Sequence, residues 1–311
     1  MHLTRLATAS EHCHLVRTRW SGHPLMTEQR PESDTAGRSR AEVEGDGLQE
    51  EVNAHFDSSA SYWDGVYRGD DLQGIIYQQR QAAVLDYVDA AQLAHDASVL
   101  EIGCGAGHLT MELADRGLRV DAVDASPAMV ESTAARASEH GVHERVTVNV
   151  ADVHALPFET GHFDLVVAVG VIPWLHSPSE AVAEMARVLR PGGELVLTAD
   201  NRARLVSFTD PRGLLALTPL KRLLVALRKR RGRVSSRLHF PSRIERMLLD
   251  GGLRPLARRT VGFGPLSFLG RPLLSERRAV RVNGRLQALA DRGVPGLRLG
   301  GWHYLTRAQK R

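Results

Sequence analysis

The chain has 311 residues, 43% of them hydrophobic, with 28 glycines, 14 prolines and two cysteines, Cys13 and Cys104. That length suffices for one large domain with insertions or two small ones, and the cysteine count excludes a disulfide framework. The net charge of +4 hides a division, because residues 1–200 carry 14 Lys and Arg against 31 Asp and Glu whereas residues 201–311 carry 26 against 5. A basic third beside an acidic two-thirds either docks on it or faces an anionic surface. No apolar run reaches the roughly 18 residues of a membrane span, and residues 1–20 lack the apolar core of a secretory signal. Together with the cysteines, this points to a cytoplasmic protein.

In chain order, residues 1–50 are polar and irregular and read as a disordered tail. His12, Cys13 and His14 are adjacent, so they cannot all converge on one ion, and no second pair follows at zinc-site spacing. Apolar and aromatic residues return over 51–95, with Phe56, Tyr62, Trp63 and Tyr67 followed by a helical pattern over 75–88. This stretch reads as a helical cap ahead of the first strand.

Residues 99–107, V-L-E-I-G-C-G-A-G, run from an apolar strand into three glycines spaced two apart, and helical spacing resumes at His108. The pattern is strand, tight turn, helix, with the backbone free to approach a ligand closely. A dinucleotide fingerprint fails here, since the sixth position is His108 counted from Gly103 and Thr110 counted from Gly105. Glu101, at the strand's carboxyl end, would repel a pyrophosphate but suits an ammonium or sulfonium. The motif E-I-G-C-G-A-G resembles the first motif of class I S-adenosylmethionine-dependent methyltransferases, and the segment H-F-D-S-S-A-S-Y-W-D-G-V-Y over 55–67 resembles the lead-in of the ubiquinone/menaquinone-biosynthesis methylase-like group. The resemblance implies cofactor contacts from Glu101, Gly103, Cys104, Gly105 and Gly107, and cofactor or acceptor contacts from Tyr62, Trp63, Tyr77 and Arg80. The bland alternative, that these aromatics are core, stays open.

The second strand ends at Asp124, 21 positions after Gly103, where an acid can accept hydrogen bonds from both ribose hydroxyls. Ser126 and Pro127 open a helix that Gly141 stops. The third strand, 146–150, delivers Asp152, which by the resemblance recognises the adenine amino group. The same resemblance adds Ala125, Ser126, Met129, Val153, Val169 and Gly170 to the cofactor contacts. A buried fourth strand begins at Phe163. At its end the resemblance puts the methyl acceptor, with Trp174 as a pocket wall, and His176 is a candidate general base or a structural histidine. The amino-methylase signature of Asn or Asp, Pro-Pro, then an aromatic residue is missing at 170–174, which counts against exocyclic base methylation. Ser177 to Glu180 read as a capping box, Pro191-Gly-Gly193 as a stop, and R-V-L-R-P-G-G-E-L-V-L-T over 187–198 resembles the family's late motif.

Residues 201–240 insert leucines among basic residues, including Arg228 to Arg231. Residues 214–233 therefore read as a lid or as an interfacial helix on an anionic membrane, peripheral at the inner face. With Phe208 and Phe240 as its sole aromatics, the segment suits RNA less well. A helix near 242–249, a strand near 256–261, a helical pattern over 276–291 and a last strand near 302–306 complete the chain. The expected fold is α/β: a Rossmann-like doubly wound sheet of seven strands, the last antiparallel, with insertions after the fifth strand and between the last two. Its expected activity is methyl transfer from S-adenosylmethionine to a small amphipathic or quinone-like acceptor, yielding S-adenosylhomocysteine, with no metal. The rivals are an RNA methyltransferase and a non-catalytic cofactor-binding protein.

Overall fold

The computed structural model describes residues 40–311 except 59, 210–235 and 270. The expectations for the tail up to residue 39, with His12, Cys13 and His14, and for 214–233 fall outside the described residues. Among the described residues, three helices precede the sheet: α1 (Arg40–Ser58), α2 (Ala60–Val66) and α3 (Leu72–Ala90). The helical cap thus starts inside the stretch read as tail, with about three turns of α1 before residue 51; its polar sequence carries no clear apolar stripe.

The sheet contains β1 (Ser98–Ile102), β2 (Arg119–Asp124), β3 (Val146–Val150), β4 (Phe163–Ala168), β5 (Leu189–Asp200), β6 (Leu253–Val261) and β7 (His303–Lys310). Their order is β3-β2-β1-β4-β5-β7-β6, with β7 antiparallel to both neighbours. Helices α4 (His108–Asp115), α5 (Pro127–His140), α6 (Pro178–Val188), α7 (Pro241–Asp250) and α8 (Glu276–Asp291) complete the layers. Alternation along the strands sends side chains to two cores. Leu100, Val166 and Leu195 pack with Met185 and Leu248 on one face, whereas Val99, Leu165 and Val196 pack with Val84 and Leu113 on the other. Each such side chain, fully removed from water, contributes roughly 1.5–3 kcal/mol. Both faces are covered, which is why the central strands read as unbroken apolar runs.

Local chemistry sets the helix ends. Ser126 Oγ accepts from Met129 N at 3.2 Å with Pro127 at the first position, and Gly141 closes α5 at φ 76°. The capping box expected at Ser177 does not form: with ψ 79° the residue leaves the extended conformation that aims a hydroxyl at the helix N–H groups, and its side chain makes no capping bond. Strand β6 begins three residues earlier than the sequence suggested, and β7 continues to Lys310. The strand order reverses between β1 and β4, opening a crevice at their carboxyl ends.

Candidate active site

That crevice is a single cavity lined by the ends of β1, β2, β4 and β5, by the loops after β1 and β3, and by α1 and α3. Of the residues picked out in the sequence, it gathers Glu101, Gly103, Cys104, Gly105, Asp124, Ala125, Met129, Asp152, Val153, Val169, Gly170, Tyr77 and Trp174. The loop after β1 is pinned from behind. Thr133 Oγ1 donates to Gly105 O at 2.7 Å and Arg136 Nε to Ala106 O at 2.6 Å. Gly105 adopts φ +55°, and a β-carbon there would meet nothing within 4 Å. Its backbone is therefore bare toward the cavity.

Asp124 is nearly buried. Its Oδ2 accepts from Gly105 N at 3.0 Å and its Oδ1 from Ser126 N at 2.9 Å. Burial pushes its carboxyl above the ordinary range despite these donors. Each oxygen keeps a further lone pair for a ligand hydroxyl. Glu101, 2% exposed, accepts from Thr110 Oγ1 at 2.6 Å. Burial raises its pKa to about 8, so the negative charge expected from the sequence is a neutral acid at pH 7 until a cation arrives. Asp152 is half exposed, and its hydrogen bond with His154, at 2.7 Å, holds its carboxyl below the usual range. Burial lifts the Cys104 thiol well above its ordinary pKa, so no thiolate lines the loop.

The far end of the cavity is aromatic and carries one buried cation. Arg80, 5% exposed, donates through Nη2 to Tyr67 OH at 2.7 Å and lies 4.4 Å over the Tyr77 ring. Its Nε is buried and has no hydrogen-bond partner among the described residues. A β-carbon on Gly170 would come within 3.1 Å of Arg80 Nη1, so the guanidinium sits against the end of β4. Phe56 of α1 meets Trp174 edge-on at 5.1 Å, and Trp63 lies 6.0 Å from Tyr77. Asp200, at the end of β5, also lines the cavity and faces His303 Nδ1 at 3.2 Å. Burial raises the Asp200 carboxyl, but His303 and Arg80 outweigh it and leave it below the ordinary range. Among the described residues, no three His, Cys, Asp or Glu side chains gather as a metal site.

Four expectations are corrected. Tyr62 is 53% exposed and bonds Gln73 Nε2 at 3.0 Å, away from the cavity. Ser126 spends its hydroxyl on the α5 cap and on Asp57 of α1. Gly107 packs against α5, where a β-carbon would press on Thr133 at 3.1 Å. His176 stacks on His154, ring centres 4.0 Å apart, and faces Gln49 instead of lining the cavity. The sequence reading missed Phe56, Tyr67, His108 and Asp200; for Asp200, the signal was its place at a strand's carboxyl end.

The family described as Methyltransferase domain matches residues 100–197. This segment is a class I methyltransferase domain. Its bounds run from β1 into β5 and hold every strand end that lines the cavity except Asp200. The chain is similar to a ubiquinone biosynthesis O-methyltransferase of Xanthomonas oryzae, 37% identical over 121 residues, covering 38% of this chain and 49% of the relative. It is also similar to a sterol 4-C-methyltransferase of Caenorhabditis elegans, 26% identical over 180 residues, covering 55% and 53%. The chain therefore spans about half the length of these curated relatives. In fold, it resembles magnesium protoporphyrin IX methyltransferase from Synechocystis, with a TM-score of 0.56 at 19% identity over 85% of this chain and 100% of that one. The matched segment spans β1 to β5, and the cap, β6, β7 and the insertions belong to the rest of the chain.

Proposed function

We propose that the cavity binds S-adenosylmethionine and that the protein transfers its methyl group to a small, amphipathic, quinone-like acceptor. One observation carries the reading: the bare Gly105 turn, Asp124 and Asp152 border one cavity at the ends of neighbouring parallel strands, with Arg80 of α3 on its wall. Asp124 would hold the ribose hydroxyls, Asp152 the adenine amino group, and Arg80, whose Nε has no hydrogen-bond partner among the described residues, a carboxylate. Glu101 lies beside the glycine turn, where a cation would draw off its proton. Bound there, the cofactor would supply an electrophilic sulfonium methyl for in-line transfer, the acceptor's lone pair forming the new bond to carbon as the C–S bonding pair stays on sulfur.

The chain's own part is alignment and exclusion of water. Phe56, Trp63, Tyr77 and Trp174 form an apolar wall suited to a flat ring. The Trp63 indole Nε1 is buried without a partner among the described residues and can donate to an acceptor oxygen. Asp200, ionised and oriented by His303, lines the cavity and can receive a proton from an acceptor hydroxyl. Relatives named for ubiquinone and sterol chemistry favour this acceptor class. Incubation of the protein with donor carrying a labelled methyl and fractionated cell extract tests the reading. Label in the lipid-soluble fraction supports it, and label confined to RNA or absent altogether refutes it.

A further inference from the structure

Between β6 and β7, the chain leaves the sheet and presents two features that the cavity does not use. The first is a short ribbon in which Ser267–Phe268 pairs antiparallel with Arg271–Pro272. Phe268 is 51% exposed, Leu269 55% and Leu273 57%. Leu269 holds φ 49°, a left-handed conformation that leucine rarely adopts, and it sits beside Phe268 at the turn. Strain at an exposed apolar tip is retained where it serves a contact.

The second feature is α8. Its buried face is Ala279, Asn283, Gln287 and Ala290, locked to the body through Asn283 Oδ1, which accepts from Phe263 N at 2.7 Å. On its exposed side, Arg277, Arg281 and Arg285 recur every four residues along one stripe, with Arg278 on its flank three residues before Arg281. None of the four forms an ion pair among the described residues; Arg281 reaches the carbonyl of Arg277 at 3.4 Å. Asp70, Asp71 and Glu276 share a shallow cleft with Arg277 and Arg281, where Asp71 accepts from Gly74 N at 2.7 Å and Glu276 from Leu72 N at 2.5 Å, while Arg278 and Arg285 lie outside it.

We infer that the ribbon tip and the α8 stripe form a docking surface for an anionic lipid bilayer, the arginines meeting headgroups and Phe268 and Leu269 entering the interface. The combination selects this partner. A nucleic-acid track would gain nothing from three exposed apolar side chains, and a second copy of the chain would set two arginine stripes of like charge against each other. The surface is separate from the basic segment 214–233 and does not depend on the cofactor reading.

The test is co-sedimentation of the full chain with vesicles of phosphatidylcholine, with and without about 30% phosphatidylglycerol. Binding is expected to the anionic vesicles alone and to weaken as salt rises. Each arginine at an anionic surface strengthens binding about fivefold, so R277Q/R281Q/R285Q is expected to lose about a hundredfold. F268S/L269S is expected to lose about tenfold or more. All five side chains are exposed, so both variants should melt as the parent does. Absence of vesicle binding, binding unchanged in both variants, or a parent dimer that F268S/L269S dissociates would each overturn the proposal. Calorimetric titration with S-adenosylhomocysteine reports separately on the cofactor reading.

Discussion

Thr110 Oγ1 donates a 2.6 Å hydrogen bond to Glu101 Oε2 in a place closed to solvent, the threonine 0% and the glutamate 2% exposed. The pair joins the first strand to the helix after the glycine turn. Burial keeps the acid protonated up to about pH 8. A cationic ligand reverses that preference, so ligand binding and proton release are linked. Calorimetry in buffers of differing ionisation enthalpy is expected to show release of a proton on S-adenosylmethionine binding at pH 7. Affinity should rise from pH 6 to about 8 and then level, and Glu101→Gln should flatten the curve.

The same shift works against the stability of the free protein. An unfolded Glu ionises near 4.5 whereas the folded one ionises near 8, so the unfolded state sheds its proton first as pH rises. Stability from this group is therefore fully present below pH 4.5, declines up to about pH 8, and is then constant. At pH 7 the cost is about 3 kcal/mol. Denaturant titration of the free protein is expected to find Glu101→Gln more stable than the parent at pH 7 and near parity at pH 4.5.

Arg80 provides a test by ligand truncation. Its guanidinium lies against the end of β4, in the cavity that Asp124 and Asp152 also line. Arg80→Met is expected to weaken S-adenosylhomocysteine by about tenfold to a hundredfold. It should leave 5′-methylthioadenosine, which lacks the amino-acid part, within about twofold. Equal losses for both ligands would place Arg80 elsewhere.

His176 gives the opposite expectation. Because its ring stacks on His154 and faces Gln49, His176→Ala should keep cofactor affinity and turnover within about threefold. A loss of a hundredfold or more, the signature of a missing general base, would restore it to the chemistry.

Much of the sheet and the glycine-turn side of the cavity was legible in the sequence because both rest on short-range patterns. Unbroken apolar runs mark the buried strands, and the acids at or just past the ends of β2 and β3 follow from strand length. Contacts between distant segments were not legible. Asp200 and His303 meet because β5 and β7 pair antiparallel, a register no local pattern states. Ser126 looked like a ligand from its place after Asp124, but the cap and Asp57 of α1 take its hydroxyl. Tyr62 and Trp63 are neighbours in a short helix, and its rotation, fixed by packing on α3, turns one outward and the other inward.

The central claim is that the glycine turn and Asp124 grip the nucleoside of S-adenosylmethionine. Isothermal titration of the full chain measures this most directly. The account predicts one site of about micromolar affinity, weakened by about a hundredfold or more in Asp124→Ala, where both ribose acceptors and the anchor on Gly105 N are gone. No heat with the parent up to about millimolar ligand, or equal affinity in Asp124→Ala, would contradict it.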